Sequence, residues 1–362
     1  MIKKKIFIHI MGARPNFIKA FPLIQVLEKY NISNKILHTG QHYDYSMSDQ
    51  FFKEFKLPKP FSNLDIGSLS HGAQTGRMLE GIEKVLINNK SDFVIIYGDT
   101  NSTVAGALAA VKLNIPLAHI EGGVRTKYYT SPEEINRKIC DHISTVNFAP
   151  TISSKNNLLA EGIDPKKVFF SGDVMYDMAI NFRPSECTNI DVPENFVLAT
   201  IHRQENTDDF KVLKSIFKEL INLSSVIPVI MPLHPRTKNK LIEGGFYNKV
   251  MKKLRIIEPL SYSNLLYLIK LSKLVISDSG GVPKEAAFLK VPSIFIGDNI
   301  VWHELVEQKW TLLLPPSKIK NLESYYTKIV SKKVPSSLSG FGDANASIKI
   351  ADFLLKYKAD KL

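Results

Sequence analysis

Cysteine is scarce in this chain of 362 residues: Cys140 and Cys187 are the whole supply. Two thiols make neither a disulfide framework nor a zinc knuckle, and they suit a reducing, cytoplasmic setting. Long apolar runs are missing as well. No window approaches the roughly 18 to 20 unbroken apolar residues that a spanning helix needs, so no membrane span is expected. The opening M-I-K-K-K-I-F-I-H-I-M-G is basic and then apolar. Its apolar part is of strand length and has no small-residue cleavage site, so it reads as a first strand rather than a signal peptide. Also absent are H-E-x-x-H, G-x-S-x-G, the P-loop lysine motif and G-x-G-x-x-G. Metalloprotease, hydrolase, ATPase and nicotinamide chemistry therefore lose support, and no metal or cofactor is expected.

Positive charge is present in excess, with a formal net charge of +12. The lysines are spread along the chain, at Lys3 to Lys5, Lys252 and Lys253, Lys332 and Lys333, and no aromatic-interleaved basic motif accompanies them. The pattern is that of a solvated surface rather than a nucleic-acid partner, and the same field favours small anionic substrates.

Apolar strand-length runs alternate with helical patterns. Ile6 to Met11, Lys35 to His38 and Phe93 to Tyr97 read as strands; Phe17 to Tyr30, Met78 to Ile87 and Val104 to Leu113 read as helices. Such alternation predicts βαβ units and parallel sheets. After the irregular N-F-R-P-S-E-C-T-N-I-D-V-P-E-N the pattern starts afresh with Phe196 to Ile201, Asp209 to Leu223 and Ile227 to Met231. The expected organisation is a first domain over 1–180, a second over 181–343, and a final helix within 344–362 packing across the junction. An internal echo supports two similar halves. Phe93 to Ile120 and Leu274 to Ile296 each read strand, acidic-hydroxyl pair, helix, proline, strand. The fold class is thus α/β, with two doubly wound, Rossmann-like domains expected to face a shared cleft.

The strongest single stretch is L-V-I-S-D-S-G-G-V-P-K-E, Leu274 to Glu285. An apolar run ends in Asp278, Ser279, Gly280 and Gly281 and opens into a helical pattern. That suits a diphosphate at the helix start, with Glu285 placed for a ribose diol; an ordinary turn capped by Asp278 fits equally. Other strand ends also carry polar groups. Gly12-Ala13-Arg14-Pro15 leads into a helix bearing Lys19, and His38-Thr39-Gly40-Gln41-His42 ends the next strand. Three carboxylates, Asp99, Glu121 and Glu133, come from strand ends or a helix start and suit acid–base work. Helix capping by Asp99 and Glu133 is the bland alternative. His202-Arg203 and His234-Pro235-Arg236 each deliver a histidine and an arginine to strand ends of the second half.

Taken together these motifs resemble the non-hydrolysing UDP-N-acetylglucosamine 2-epimerase family. The resemblance runs from Gly12 to about Trp310 through G-A-R-P-N-F-I-K, H-T-G-Q-H-Y-D, Y-G-D-T-N-S-T-V-A-G-A-L-A-A, H-I-E-G-G-V-R, P-E-E-I-N-R, G-D-V-M-Y-D, H-R-Q-E-N, P-L-H-P-R-T and D-S-G-G-V-P-K-E-A. It implies the GT-B arrangement of two Rossmann-like domains, a UDP-sugar substrate, a homodimer and inversion at C2 by loss and return of UDP. By motif, Asp99, Glu121 and Glu133 become the acid/base candidates and His202 the group near the leaving diphosphate. Arg14, Lys19, Gln41, His234, Ser279, Gly280, Gly281 and Glu285 become substrate contacts. The sequence departs from the family pattern at Gly122-Gly123 (usually Ala-Gly), at Pro283 (usually Gln), at Gly297 (usually Arg) and at Ile300-Val301 (usually Thr-Glu).

Competing readings are a GT-B glycosyltransferase, a hydrolysing epimerase that releases free sugar, and a weakened UDP-sugar-binding protein. Within the epimerases, A-T-I-H-R-Q-E-N-T-D-D, Lys284, the eleven-residue step from Glu121 to Pro132 and W-H-E-L-V-E resemble the branch acting on UDP-2,3-diacetamido-2,3-dideoxyglucuronic acid. A uronate needs a nearby cation, for which Arg125, Lys127 and Arg137 are candidates.

Overall fold

The computed structural model describes residues 4–41, 52–126, 130–181, 191–332 and 335–357. His42, Lys127 and Cys187 lie outside the described residues. The chain divides into two compact units, Met1–Met178 with Ser339–Leu362, and Ala179–Leu338. Among the described residues, no helix is long and apolar enough to cross a membrane.

Unit 1 is built on seven parallel strands: β1 (Ile6–Met11), β2 (Ser33–His38), β3 (Ser62–Asn63), β4 (Phe93–Tyr97), β5 (Leu117–Ile120), β6 (Val146–Ala149) and β7 (Val168–Phe170). Their order is β3-β2-β1-β4-β5-β6-β7, so the direction of winding reverses between β1 and β4. β1 and β4 are apolar at almost every position because helices cover both faces, as parallel sheets require. The helix Asn101–Lys112 carries Val104, Ala105, Ala107, Ala109 and Ala110 into one cluster with Ile8, Ile10, Val94 and Ile96. Its small side chains let it lie close to the sheet.

Unit 2 repeats the plan with six parallel strands: β8 (Val197–Thr200), β9 (Val229–Pro232), β10 (Arg255–Ile257), β11 (Leu274–Ser277), β12 (Ser293–Ile296) and β13 (Thr311–Leu314). The order β10-β9-β8-β11-β12-β13 puts the reversal between β8 and β11. Leu213, Ile216, Phe217 and Leu220, at helical spacing on Phe210–Leu223, bury against Val197, Ala199 and Val229 of the sheet. The internal echo now has a structural meaning. β4–β5 and β11–β12 are the corresponding βαβ units, each just beyond its own reversal point.

The chain's end belongs to unit 1. Helix Ala346–Lys356 packs on helix Arg14–Lys29. Its first free amides, those of Ala346 and Ser347, donate to buried Asp177 at 2.9 and 2.6 Å. Its last carbonyls, of Leu354 and Leu355, accept from Lys5 Nζ at 3.1 and 2.9 Å. Both ends thus gain the charge that the helix dipole favours. Phe353 and Tyr357 add ring contacts to Phe148 and Phe93. The sequence suggested a helix across a junction, but every contact just named lies within unit 1.

Inside β1, His9 is fully buried between Tyr97 Oη (2.6 Å from Nδ1) and Asn34 Oδ1 (3.1 Å from Nε2). Burial, only partly offset by the Asn34 bond, lowers its pKa from 6.5 to about 4. The folded ring therefore stays neutral where the unfolded one takes up a proton. The contribution to stability is complete above pH 6.5 and is lost as the pH falls from 6.5 to about 4. It amounts to about 3 kcal/mol at roughly 1.36 kcal/mol per pH unit. Urea unfolding followed by circular dichroism should show this loss in wild type and a shallower acid slope in His9→Gln; equal slopes would remove His9 as the cause.

Candidate functional site

Open parallel sheets bind ligands beyond the strand ends where winding reverses, and each unit gathers its polar side chains there. In unit 1 the loops after β1 and β4 meet. A side chain on Gly12 would begin 1.8 Å from Thr39 Oγ1 and 2.4 Å from Ser102 Oγ, so only glycine fits. Asn16 fastens this turn. Its Oδ1 accepts from the Gly12 and Ala13 amides at 3.3 and 3.0 Å, and its Nδ2 donates to Tyr97 O at 2.9 Å. Gln41 Oε1 accepts from the amide and hydroxyl of Ser102 at 3.0 and 2.7 Å, holding the start of the next helix. Arg14 is exposed at the first turn of its own helix.

The three predicted carboxylates sit in three different environments. Glu121 is buried and its backbone adopts φ 75°, a left-handed conformation that costs a non-glycine residue about 1–3 kcal/mol and recurs at functional sites. Its Oε1 accepts from Lys19 Nζ at 2.6 Å, so Lys19, expected as a substrate contact, is paired here with a carboxylate. Asp99 is half-buried and ion-paired with Arg137. Burial works against the Arg137 cation, but Asp99 and Glu134 outweigh it and raise its pKa above the usual arginine value. Glu133 is exposed in the first turn of helix Pro132–Ile143. Neither Asp99 nor Glu133 is a helix cap: Thr100 and Ser131 fill those places, accepting from Thr103 N and Glu134 N.

Two of the cations considered for a uronate are already engaged. Arg137 bonds Asp99 and Glu134, the latter at 3.0 Å. Arg125 bonds Asp141 at 2.7 Å and grips both oxygens of Glu161 at 2.7 and 2.6 Å.

In unit 2 the organising group is Asp278, which is fully buried. It caps no helix. Its carboxylate accepts from the amides of His202 (3.1 and 3.0 Å) and Arg203 (2.9 Å) and from Asn206 Nδ2 (3.1 Å). The end of β11 thereby fixes the loop after β8. His202 stays partly exposed, its ring stacked on His234 at 5.5 Å. His234 Nδ1 accepts from Arg236 N and caps helix Pro235–Glu243. Arg203 lies over Phe295 and within 3.2 Å of where a side chain on Gly280 would begin. Ser279, Gly280 and Gly281 are all partly exposed at the mouth of helix Val282–Phe288, while Glu285 is buried on its first turns.

The departures from the family pattern also have places. A side chain at position 297 would begin 2.7 Å from the Phe295 ring. Ile300 and Trp302 are buried, and the Trp302 ring lies 3.7 Å from the ammonium of buried Lys284. A cation–π contact thus ties the altered loop to helix Val282–Phe288.

Asn16, Ser102, His119, Asp141, Glu161 and Asn206 were not singled out from the sequence. Their signal is weak there, since each acts through a partner distant in sequence.

The sequence profile described as UDP-N-acetylglucosamine 2-epimerase matches residues 25–355. The chain is 43% identical to a UDP-N-acetylglucosamine 2-epimerase homolog of Methanococcus maripaludis, over 95% of this chain and 98% of that protein. It is 42% identical to the UDP-2,3-diacetamido-2,3-dideoxy-D-glucuronate 2-epimerase of Pseudomonas aeruginosa, over 96% and 98%. The crystal structure of Methanocaldococcus jannaschii UDP-GlcNAc 2-epimerase in complex with UDP-GlcNAc and UDP superposes with a TM-score of 0.86 at 41% identity, covering 97% and 99% of the two chains.

Replacing Asp278 by alanine would leave the His202 and Arg203 amides without their acceptor and leave Asn206 Nδ2 only the Ile296 carbonyl. The expected loss is about 3 kcal/mol, the upper range for bonds to a charged group. Trp302 and Trp310, both in unit 2, are the chain's two tryptophans, so indole fluorescence in urea reads that unit directly. An unchanged midpoint would show that Asp278 does not hold the loop.

Proposed function

The chain belongs to the UDP-N-acetylglucosamine 2-epimerase family, and from that premise we propose that it inverts C2 of a UDP-linked N-acetylated amino sugar. Abstraction of the C2 proton expels UDP and leaves a glycal; UDP then returns to C1 as a proton reaches the opposite face of C2. The observation that carries this reading is the division of chemistry between the two reversal points. Unit 1 presents carboxylates at Asp99, Glu121 and Glu133, and unit 2 presents His202, Arg203 and the Ser279–Gly281 backbone.

The C2 proton is weakly acidic, so most of the rate must come from placed carboxylates and from stabilising the departing diphosphate. Glu121, buried against Lys19, is placed to exchange a proton with a neighbour whose charge balances its own. Asp99, held by Arg137, and Glu133, free to reach from its helix start, are the remaining acid/base groups. His202, beside the Asp278 hub, serves the leaving diphosphate, and Arg14, Gln41, His234 and Glu285 complete the contacts. We further propose a homodimer and a cytoplasmic location, where nucleotide sugars are made as precursors of surface polysaccharide. Ile135 and Ile139, exposed one turn apart on helix Pro132–Ile143, offer an apolar face to a second copy.

Of the two candidate sugars we favour the diacetamido uronate, supported by the resemblance to that branch, which includes Lys284 and the W-H-E-L-V-E run. With Arg125 and Arg137 engaged, Lys127 is the cation left to test. NMR of the protein with each UDP-sugar and no acceptor should show the 2-epimer; free sugar would indicate the hydrolysing reaction, and no turnover with tight UDP binding a binding protein. Lys127→Ala should lower kcat/KM for the uronate more than for UDP-GlcNAc, and efficient UDP-GlcNAc turnover with none of the uronate would overturn the branch. Asp99→Asn, Glu121→Gln and Glu133→Gln should each fold and lose at least about a hundredfold in kcat. Glu285→Ala should instead weaken UDP binding.

A further inference from the structure

Two fully buried histidines lie in the sheet of unit 1, on β1 and β5 with β4 between them, and their partners differ in kind. His9 faces one hydroxyl, which can donate, and one carbonyl oxygen, which can only accept. A neutral imidazole, with one N–H and one lone pair, satisfies both. His119, on β5, faces two oxygens: Asp141 Oδ1 at 2.8 Å from Nδ1 and Gly98 O at 2.8 Å from Nε2. A backbone carbonyl cannot donate. Asp141 is held as a carboxylate, because its Oδ2 accepts from Arg125 Nη1 at 2.7 Å and from the Gly123 amide at 3.0 Å. Burial alone would raise the Asp141 pKa, but His119 and Arg125 outweigh it and lower it. Two accepting partners call for hydrogens on both ring nitrogens.

The chain of contacts from Gly98 O through His119 and Asp141 to Gly123 N touches every segment that carries a predicted acid/base group. Gly98, at φ +65°, is the turn that delivers Asp99, and its Cα faces the Lys19–Glu121 pair. Glu121, itself left-handed, lies between His119 and Gly123. Asp141 is on the helix that begins with Glu133, and its own carbonyl is held by Asn147 Nδ2 at 2.8 Å. Arg125 and Glu161 close the outer end, and Asn157 Nδ2 grips Gly123 O at 3.0 Å.

We propose that His119 and Asp141 form the positioning pair of the epimerisation, a buried imidazolium–carboxylate that sets Asp99, Glu121 and Glu133 relative to one another without touching substrate. The inference rests on the epimerase reading. Its first test does not. In 15N-histidine-labelled wild type at about pH 8, above the usual histidine pKa, one ring should show two protonated nitrogens and vanish in His119→Gln. A single-N–H signature at His119 would overturn the charge assignment. The second test is kinetic. In Asp141→Asn a neutral ring can accept from the new amide, keeping the contacts while removing the charge. His119→Gln shortens the link. A misplacement of about 1 Å costs on the order of a hundredfold, so kcat should fall by about that factor in His119→Gln and by less in Asp141→Asn, which keeps the contacts. KM and the UDP dissociation constant, set largely by unit 2, should stay within about threefold. Wild-type kcat in both variants, or an equal loss of UDP binding and kcat, would overturn positioning. If wild type itself forms no 2-epimer, the epimerase reading fails while the NMR result on His119 stands.

Discussion

A carboxylate cannot lie bare in a protein interior; it must be met by cations or by hydrogen-bond donors. Both units are arranged around that constraint. In unit 1, Asp141 draws in His119, Arg125 and the Gly123 amide. In unit 2, Asp278 draws in two amides and Asn206. Asp278 ties the loop after β11 to the loop after β8, and Asp141 ties helix Pro132–Ile143 to β5 and the loop after it. The buried charge therefore turns flexible strand-end loops into fixed geometry, which a catalytic group needs more than affinity.

The surrounding packing serves the same end. The alanine-rich helix after β4 lies close on the sheet, and Gly12 lets Thr39 and Ser102 approach its backbone without a clash. One strained residue lies where the chemistry is proposed. Glu121 holds a left-handed backbone that the sheet below and the Asp141 network beside it over-determine. Outside this region, such conformations fall on short turns such as Asn31 and Lys290.

Much of the architecture was legible in the sequence because parallel strands buried on both faces leave an apolar signature of fixed length. Ile6 to Met11 and Phe93 to Tyr97 were read with the bounds the structure shows. Helix starts were less legible. Asp99, Glu133 and Asp278 each had a capping alternative, and in each case a different residue or none caps the helix. Capping depends on which of several nearby oxygens meets the amide, and spacing does not decide that.

The sequence by itself determined the strand–helix alternation, the placing of polar groups at strand ends and the family. These are properties of local periodicity and of short motifs, which survive without knowledge of distant partners. Only the tertiary structure decided what each polar group does. It set Lys19 on Glu121, tied Arg125 and Arg137 into ion pairs, separated buried Glu134 from exposed Glu133, and gave two buried histidines opposite hydrogen-bonding partners. Those roles arise from pairs separated by tens of residues, and only the order of strands in the sheet brings them together.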